Sequence, residues 1–164
     1  MPAPQPPTSP RSPHPHLPTT QAAVAAVRAV ADAYGLDLTV TDDIGADQVA
    51  RRTSAPAFAV TDPDGSLPHD ATVELAGPPS VAIRLFADGD ALITVEGVEF
   101  HDVPRDSVPA FLRALLDGSA HVKGRFLPPG EWLTVPLPGG ETYRELILLP
   151  TPTPWLVRAA RRRP

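Results

Sequence analysis

Two histidine–aspartate pairs carry the side chains of this sequence that are best suited to acid–base chemistry. His101 and Asp102 lie between a predicted strand and a predicted helix, with Arg105 close behind, and active-site residues often collect in such connections. His69 and Asp70 form the second pair. Adjacent residues of an extended chain point to opposite sides, so neither pair makes a histidine–carboxylate relay by itself. A hydrogen-bonded loop histidine is the favoured interpretation, and a small-molecule site at His101, Asp102 and Arg105 is the alternative.

The sequence lacks the common motifs for catalysis, phosphate binding and metal binding. It contains no G-x-S-x-G, no G-x-x-x-x-G-K-[ST], no G-x-G-x-x-G, no H-E-x-x-H and no cysteine. The segment 62–65 begins like a calcium loop, but its third acidic ligand and its closing Glu are missing, so we predict a turn. The sequence therefore predicts no cofactor and no metal, and it favours a non-enzymatic protein.

Charge is distributed unevenly along the chain. From Asp32 to Asp106 there are fifteen Asp or Glu against four Arg, an excess of eleven negative charges, whereas residues 107–164 hold four acids and eight bases. A field of this kind steers the approach of oppositely charged partners. We therefore expect an acidic surface that binds a basic protein. The candidate contact residues are Asp42, Asp43, Asp47, Asp88 and Asp90.

The two ends of the chain are predicted to lie outside the folded domain. Residues 1–18 include eight prolines and little apolar surface to bury, so residues 1–19 are predicted to be a disordered tail. Residues 158–164 hold four Arg and form a second predicted tail, which could contact phosphates. A nucleic-acid partner is disfavoured because the whole chain is acidic. Residues 20–157 are then a single domain.

The elements that position these residues are clearest from 80 to 118. Two alternating runs flank Asp88-Gly89-Asp90, which predicts a hairpin, and a third strand follows at 98–100. Apolar residues at helical spacing then predict a helix that starts at Ser107 and ends at Gly118. An earlier helix is predicted at 22–34 and a short one within 42–54. Further strands are predicted at 36–41, 57–61, 72–75, 121–126, 132–137 and 141–149, with Pro136 favouring an edge strand.

These elements predict an α+β domain with a mostly antiparallel sheet of six to eight strands and two main helices on one face. At the level of fold class, a small acidic α+β domain with a disordered extension is similar to many bacterial antitoxin, immunity and adaptor proteins. Thirteen Arg against one Lys indicates a bacterial genome rich in G and C. No apolar run approaches the roughly 20 residues that span a bilayer, and no secretory signal begins the chain, so we expect a cytoplasmic protein without a membrane partner.

Overall fold

The computed structural model describes residues 14–43, 69–125 and 130–162. Within these ranges the chain forms three α-helices and eight strands in two antiparallel sheets. The helices are α1 (Thr20–Ala33), α2 (Val108–Leu116) and α3 (Pro154–Ala160). The first sheet contains β1 (Leu38–Asp43), β2 (Asp70–Leu75), β3 (Val81–Leu85), β4 (Asp90–Val95) and β5 (Val98–Pro104). The second sheet contains β6 (His121–Arg125), β7 (Gly130–Pro136) and β8 (Thr142–Leu146).

The predicted α+β class is confirmed, but the expectation of one sheet is wrong. The eight strands form sheets of five and three, and α2 lies between β5 and β6 along the chain. Sequence alternation identifies strands without saying which strands pair. The short helix predicted within 42–54, the strand predicted at 57–61 and the turn predicted at 62–65 fall at least in part outside the described residues.

The five-stranded sheet is an antiparallel meander, with strands in the order in which they occur along the chain. The predicted hairpin is confirmed by the pairing of Ile83 on β3 with Ile93 on β4, and Gly89 in its turn has a positive φ of 107°. A register shift on β5 allows that strand to continue to Pro104 instead of ending near Phe100. His101 and Asp102 consequently lie within a strand, not in a loop.

The three-stranded sheet has the order β6-β7-β8, so β7 is its central strand. The expectation that Pro136 marks an edge strand is therefore wrong. Pro136 is the last residue of β7 and pairs with Thr142, where its missing N–H interrupts the ladder only at its end. Leu133 and Val135 are buried on the inner face of this sheet.

The helices contribute buried side chains that complete the hydrophobic core. Thr19 caps α1 by accepting a hydrogen bond from the Ala22 amide, and α1 contacts β1, β2 and α2. Ser107 does not cap α2 as predicted, because it lies in a 3₁₀ turn (Arg105–Ser107) with helical backbone angles and makes no capping hydrogen bond. Phe111 on α2 contacts Phe100 edge to face, with ring centroids 5.0 Å apart.

The end of the chain packs on the second sheet. Thr153 caps α3, which contacts β6 and buries Trp155, Leu156 and Ala159. The sequence places Trp155 in the body of the domain, as the structure does. However, α3 continues through residues 158–160, which were expected to belong to the C-terminal tail. In the part of the chain that the structure describes, no helix has the length and apolar character needed to cross a membrane.

Replacing Leu112 with Ala should lower the free energy of unfolding by about 2 to 5 kcal/mol, because this side chain is only 1% exposed and its loss leaves a cavity. Arg113, the next residue, is exposed, and its change to Ala should cost less than about 0.5 kcal/mol. Urea titration of both variants measures the difference. Equal losses would contradict the assignment of the buried helix face.

Candidate functional site

One end of the five-stranded sheet gathers acidic residues from three different parts of the chain. In the antiparallel ladder, Asp43 at the end of β1 pairs with Asp70 at the start of β2. Asp90 opens β4 at the same end, and Asp88 lies in the turn just before it. We call Asp42, Asp43, Asp70, Asp88 and Asp90 the acidic end. The predicted residue Asp47 lies outside the described residues.

The acidic end is only partly neutralised by its surroundings. Asp70 lies 3.6 Å from an Nη atom of Arg84, and Asp42 lies 3.6 Å from Nε2 of His69. Asp88 and Asp90 are exposed, and among the described residues neither forms an ion pair. Asp42, Asp88 and Asp90 therefore leave exposed negative charge at this end of the sheet. A field of this sign attracts cations.

The predicted pair His69 and Asp70 does not act as a unit. His69 is buried, with 4% of its surface exposed, and its carbonyl accepts a hydrogen bond of 2.7 Å from the Thr20 hydroxyl. Asp70 instead accepts a hydrogen bond of 3.0 Å from the Ala87 amide and so supports the β3–β4 turn. Among the described residues, no group of three or more His, Asp or Glu is arranged to hold a metal ion.

His101, Asp102 and Arg105 also do not converge. The ring of His101 is exposed, with Nε2 3.4 Å from a carboxylate oxygen of Glu99. Asp102 is exposed and has a positive φ of 53°. Arg105 is buried, with 8% of its surface exposed, and its guanidinium is bonded to backbone carbonyls. The three residues therefore supply no common set of polar atoms for a substrate.

Arg105 holds a short segment before α1 against the domain. Its guanidinium donates hydrogen bonds of 3.0 Å to the carbonyls of Leu17 and Pro18, and one of 3.4 Å to the carbonyl of Phe86. Asp106 accepts a hydrogen bond of 2.6 Å from the Leu17 amide. We call residues 14–18 the docked segment. These contacts lie within the range that proline content assigned to a disordered tail.

The docked segment lowers the pKa of the Asp106 carboxylate. Partial burial alone would raise its pKa, but the hydrogen bond from the Leu17 amide acts in the opposite direction and stabilises the ionised form. His16, with Nδ1 3.0 Å from Asp106, and the charge of Arg105 add to this effect. The pKa of Asp106 is consequently lower than usual.

A cavity that was not predicted lies on the outer face of the three-stranded sheet. The described residues that line it are Lys123, Trp132, Thr134 and Arg144, one or two from each strand. They could not be associated from the sequence, because only the pairing register brings them together. A weak signal was present in the alternate spacing of Trp132 with Thr134, which puts both on one face of a strand.

Gly130 makes close packing possible beside this cavity. A Cβ at Gly130 would lie 2.8 Å from Cδ1 of Leu146 and 3.7 Å from Nε1 of Trp132, so any larger residue would displace Leu146. The Trp132 Nε1 atom is buried and has no hydrogen-bond partner among the described residues. Buried N–H groups are ordinarily hydrogen-bonded, so an acceptor is expected beside this one.

Comparison with known proteins gives no relative. No protein-family model, no curated protein and no solved structure matches this chain. Functional inference therefore depends on the geometry of the chain itself.

Removing residues 1–18 should lower the free energy of unfolding by about 1 to 3 kcal/mol, because buried Arg105 loses the carbonyls of Leu17 and Pro18. Removing only residues 1–13 should change it by less than about 0.5 kcal/mol, since their composition offers little to bury. Urea titration compares the two truncations. Combining each with Arg105→Met tests the cause, because the difference between them should then shrink. Equal stability of the two truncations would contradict the role of the docked segment.

The docked segment should also respond to acid. Because the pKa of Asp106 is lower in the folded protein than in the unfolded chain, its stabilising effect is complete above the unfolded value of about 4 and is lost as pH falls through the folded value. Asp106→Asn should therefore be less stable than wild type near neutral pH, and the difference should shrink below about pH 4. Urea titrations across the pH series measure this difference. A difference that does not depend on pH would exclude Asp106 as its source.

Proposed function

We propose that this protein is a non-enzymatic binding module that engages a basic protein partner through its acidic end. The observation that carries the proposal is the sheet register, which gathers exposed carboxylates from β1, the β3–β4 turn and β4 at one end. Exposed charges contribute little to folding stability, whereas a field of one sign accelerates association with the opposite sign. The proposed setting is a bacterial cytoplasm, in a role of the antitoxin, immunity or adaptor type.

In the proposed arrangement, α1 and α2 cover one face of the five-stranded sheet, and the partner binds over the other face. In support, α1 contacts β1 and β2, and α2 contacts α1. The opposite face carries charged side chains at Glu74 and Arg84, both exposed. A partner that binds the acidic end could extend over this face without displacing a helix.

The two alternative functions have weaker support. A small-molecule site at His101, Asp102 and Arg105 would need Arg105 to release three backbone carbonyls. A nucleic-acid site would rely on Arg158, Arg161 and Arg162, but the Arg162 guanidinium lies 5.9 Å above the ring of Trp155. That position fits a packing role for at least one of the three.

The acidic end should control the rate of partner capture. Asp42→Asn, Asp88→Asn and Asp90→Asn combined should lower the association rate roughly three- to ten-fold at low salt, because electrostatic steering depends on these charges. Asn is accepted in turns, so the β3–β4 turn should persist. The matched control changes three exposed acids near the opposite end of the same sheet, Asp37→Asn, Glu74→Gln and Glu99→Gln, and removes the same charge.

The experiment begins with affinity capture of the basic partner from the source organism and continues with stopped-flow kinetics. The wild-type rate should fall steeply as the Debye length shrinks from about 30 Å at 0.01 M to about 8 Å at 0.15 M, and the rate of the acidic-end variant should fall less. Dissociation should change little. Equal effects of the two triple variants would show that only the net charge of the protein matters and not the position of the acidic end. An association rate that does not change with salt concentration would refute the proposal.

A further inference from the structure

The outer face of the three-stranded sheet brings two cations to one cavity. Lys123 on β6 pairs with Trp132 on β7, and Arg144 on β8 pairs with Thr134, also on β7. These residues line a cavity of about 80 Å³. Residues paired across a ladder project to the same side, so the four side chains share a face opposite to that of buried Leu133.

The cavity is electrostatically unbalanced. Among the described residues, neither Lys123 nor Arg144 forms an ion pair, and no carboxylate lines the cavity with them. The nearest acids along these strands, Glu131 and Glu145, occupy alternate positions and project from the other face. Two positive charges that share a cavity repel each other, and an anion between them converts that repulsion into attraction.

The lining favours an organic carboxylate over a bare inorganic anion. A guanidinium binds a carboxylate through two parallel hydrogen bonds, and a lysine ammonium adds a point charge. Inorganic phosphate would use these two cations but would leave the ring of Trp132 without a role. An anion with an apolar body would also contact that ring and the aliphatic stems of Lys123 and Arg144.

The size of the cavity limits the ligand. A volume of about 80 Å³ holds the charged group and part of the apolar body of a small molecule, and it is too small for an element of a folded partner. We propose that this cavity binds a small organic carboxylate, with the charged group between Lys123 and Arg144 and the apolar part against Trp132. The site lies on a different sheet from the acidic end, so either proposal can fail without the other.

The test follows the indole N–H signals of the full-length protein by ¹H–¹⁵N NMR during titration with benzoate. The chain has two tryptophans, and Trp155→Phe assigns their signals. The Trp132 signal should shift in a saturable way with a dissociation constant of about 1 mM or lower, and the Trp155 signal should shift less. Benzamide, the uncharged analogue, and inorganic phosphate should each bind at least about ten-fold more weakly.

Variants identify the binding groups. Lys123→Gln and Arg144→Gln should each weaken benzoate binding about ten-fold, because each removes a charge-assisted contact. Arg28→Gln, which removes an exposed cation on α1, should leave binding unchanged. Retained dispersion of the amide spectrum shows that each variant is folded, and Arg144→Lys, which keeps the charge, should still lose affinity if the two parallel hydrogen bonds matter.

Several results would overturn the proposal. The absence of a saturable shift of the Trp132 signal at about 10 mM benzoate would exclude a carboxylate site of the proposed affinity. Equal affinity for benzamide would indicate an apolar groove, and tighter binding of phosphate would indicate an inorganic anion site. Equal loss in Arg28→Gln and Arg144→Gln would indicate nonspecific attraction of benzoate to positive side chains in general.

Discussion

The pairing register of the antiparallel strands is the constraint on which the rest of this structure depends. Because side chains alternate across a strand, a shift of one residue would exchange the buried and exposed faces of a whole strand. The pair Ile83 and Ile93 fixes this register in the β3–β4 hairpin, and the Asp-Gly turn between them fixes the loop length. The same register gathers the acidic end on one sheet and the two cations on the other.

Arg105 links parts of the chain that the sheets alone do not connect. Its guanidinium is bonded to the backbone before α1 and to the end of the β3 region at Phe86, while its own backbone begins the turn into α2. A buried guanidinium is costly unless its donors are satisfied. Three carbonyl acceptors meet that requirement here. The positive charge of Arg105, which the sequence associated with a candidate small-molecule site, is therefore explained by its structural role.

Local patterns predicted local structure, and they failed where distant segments meet. The hairpin around Gly89 and the buried face of α2 could be predicted because turn chemistry and helical spacing are properties of neighbouring residues. The division into two sheets could not, since alternation does not state which strands pair. The docked segment was missed for a related reason. The proline content of the first 18 residues predicts disorder, whereas the Leu17 side chain packs against the core and its carbonyl is held by Arg105, 88 residues away. At the candidate sites, four of the five acidic-end residues were proposed from charge, whereas Asp70 and the grouping at one end required the register.

Candidate sites can be distinguished from the rest of the surface by residues whose presence folding alone does not explain. Sequences that fold well tend to satisfy each local requirement, so an uncompensated cost suggests another use for the residue. Arg105 meets its requirements within the fold and needs no further explanation. In contrast, Lys123 and Arg144 share a cavity without a described counter-charge, beside a buried indole N–H of Trp132 that lacks a partner. Both cations are exposed, so their charges contribute little to folding stability and are free to serve another purpose. The cavity on the second sheet, and not the histidine pairs of the sequence, is therefore the place where we propose that a small molecule binds.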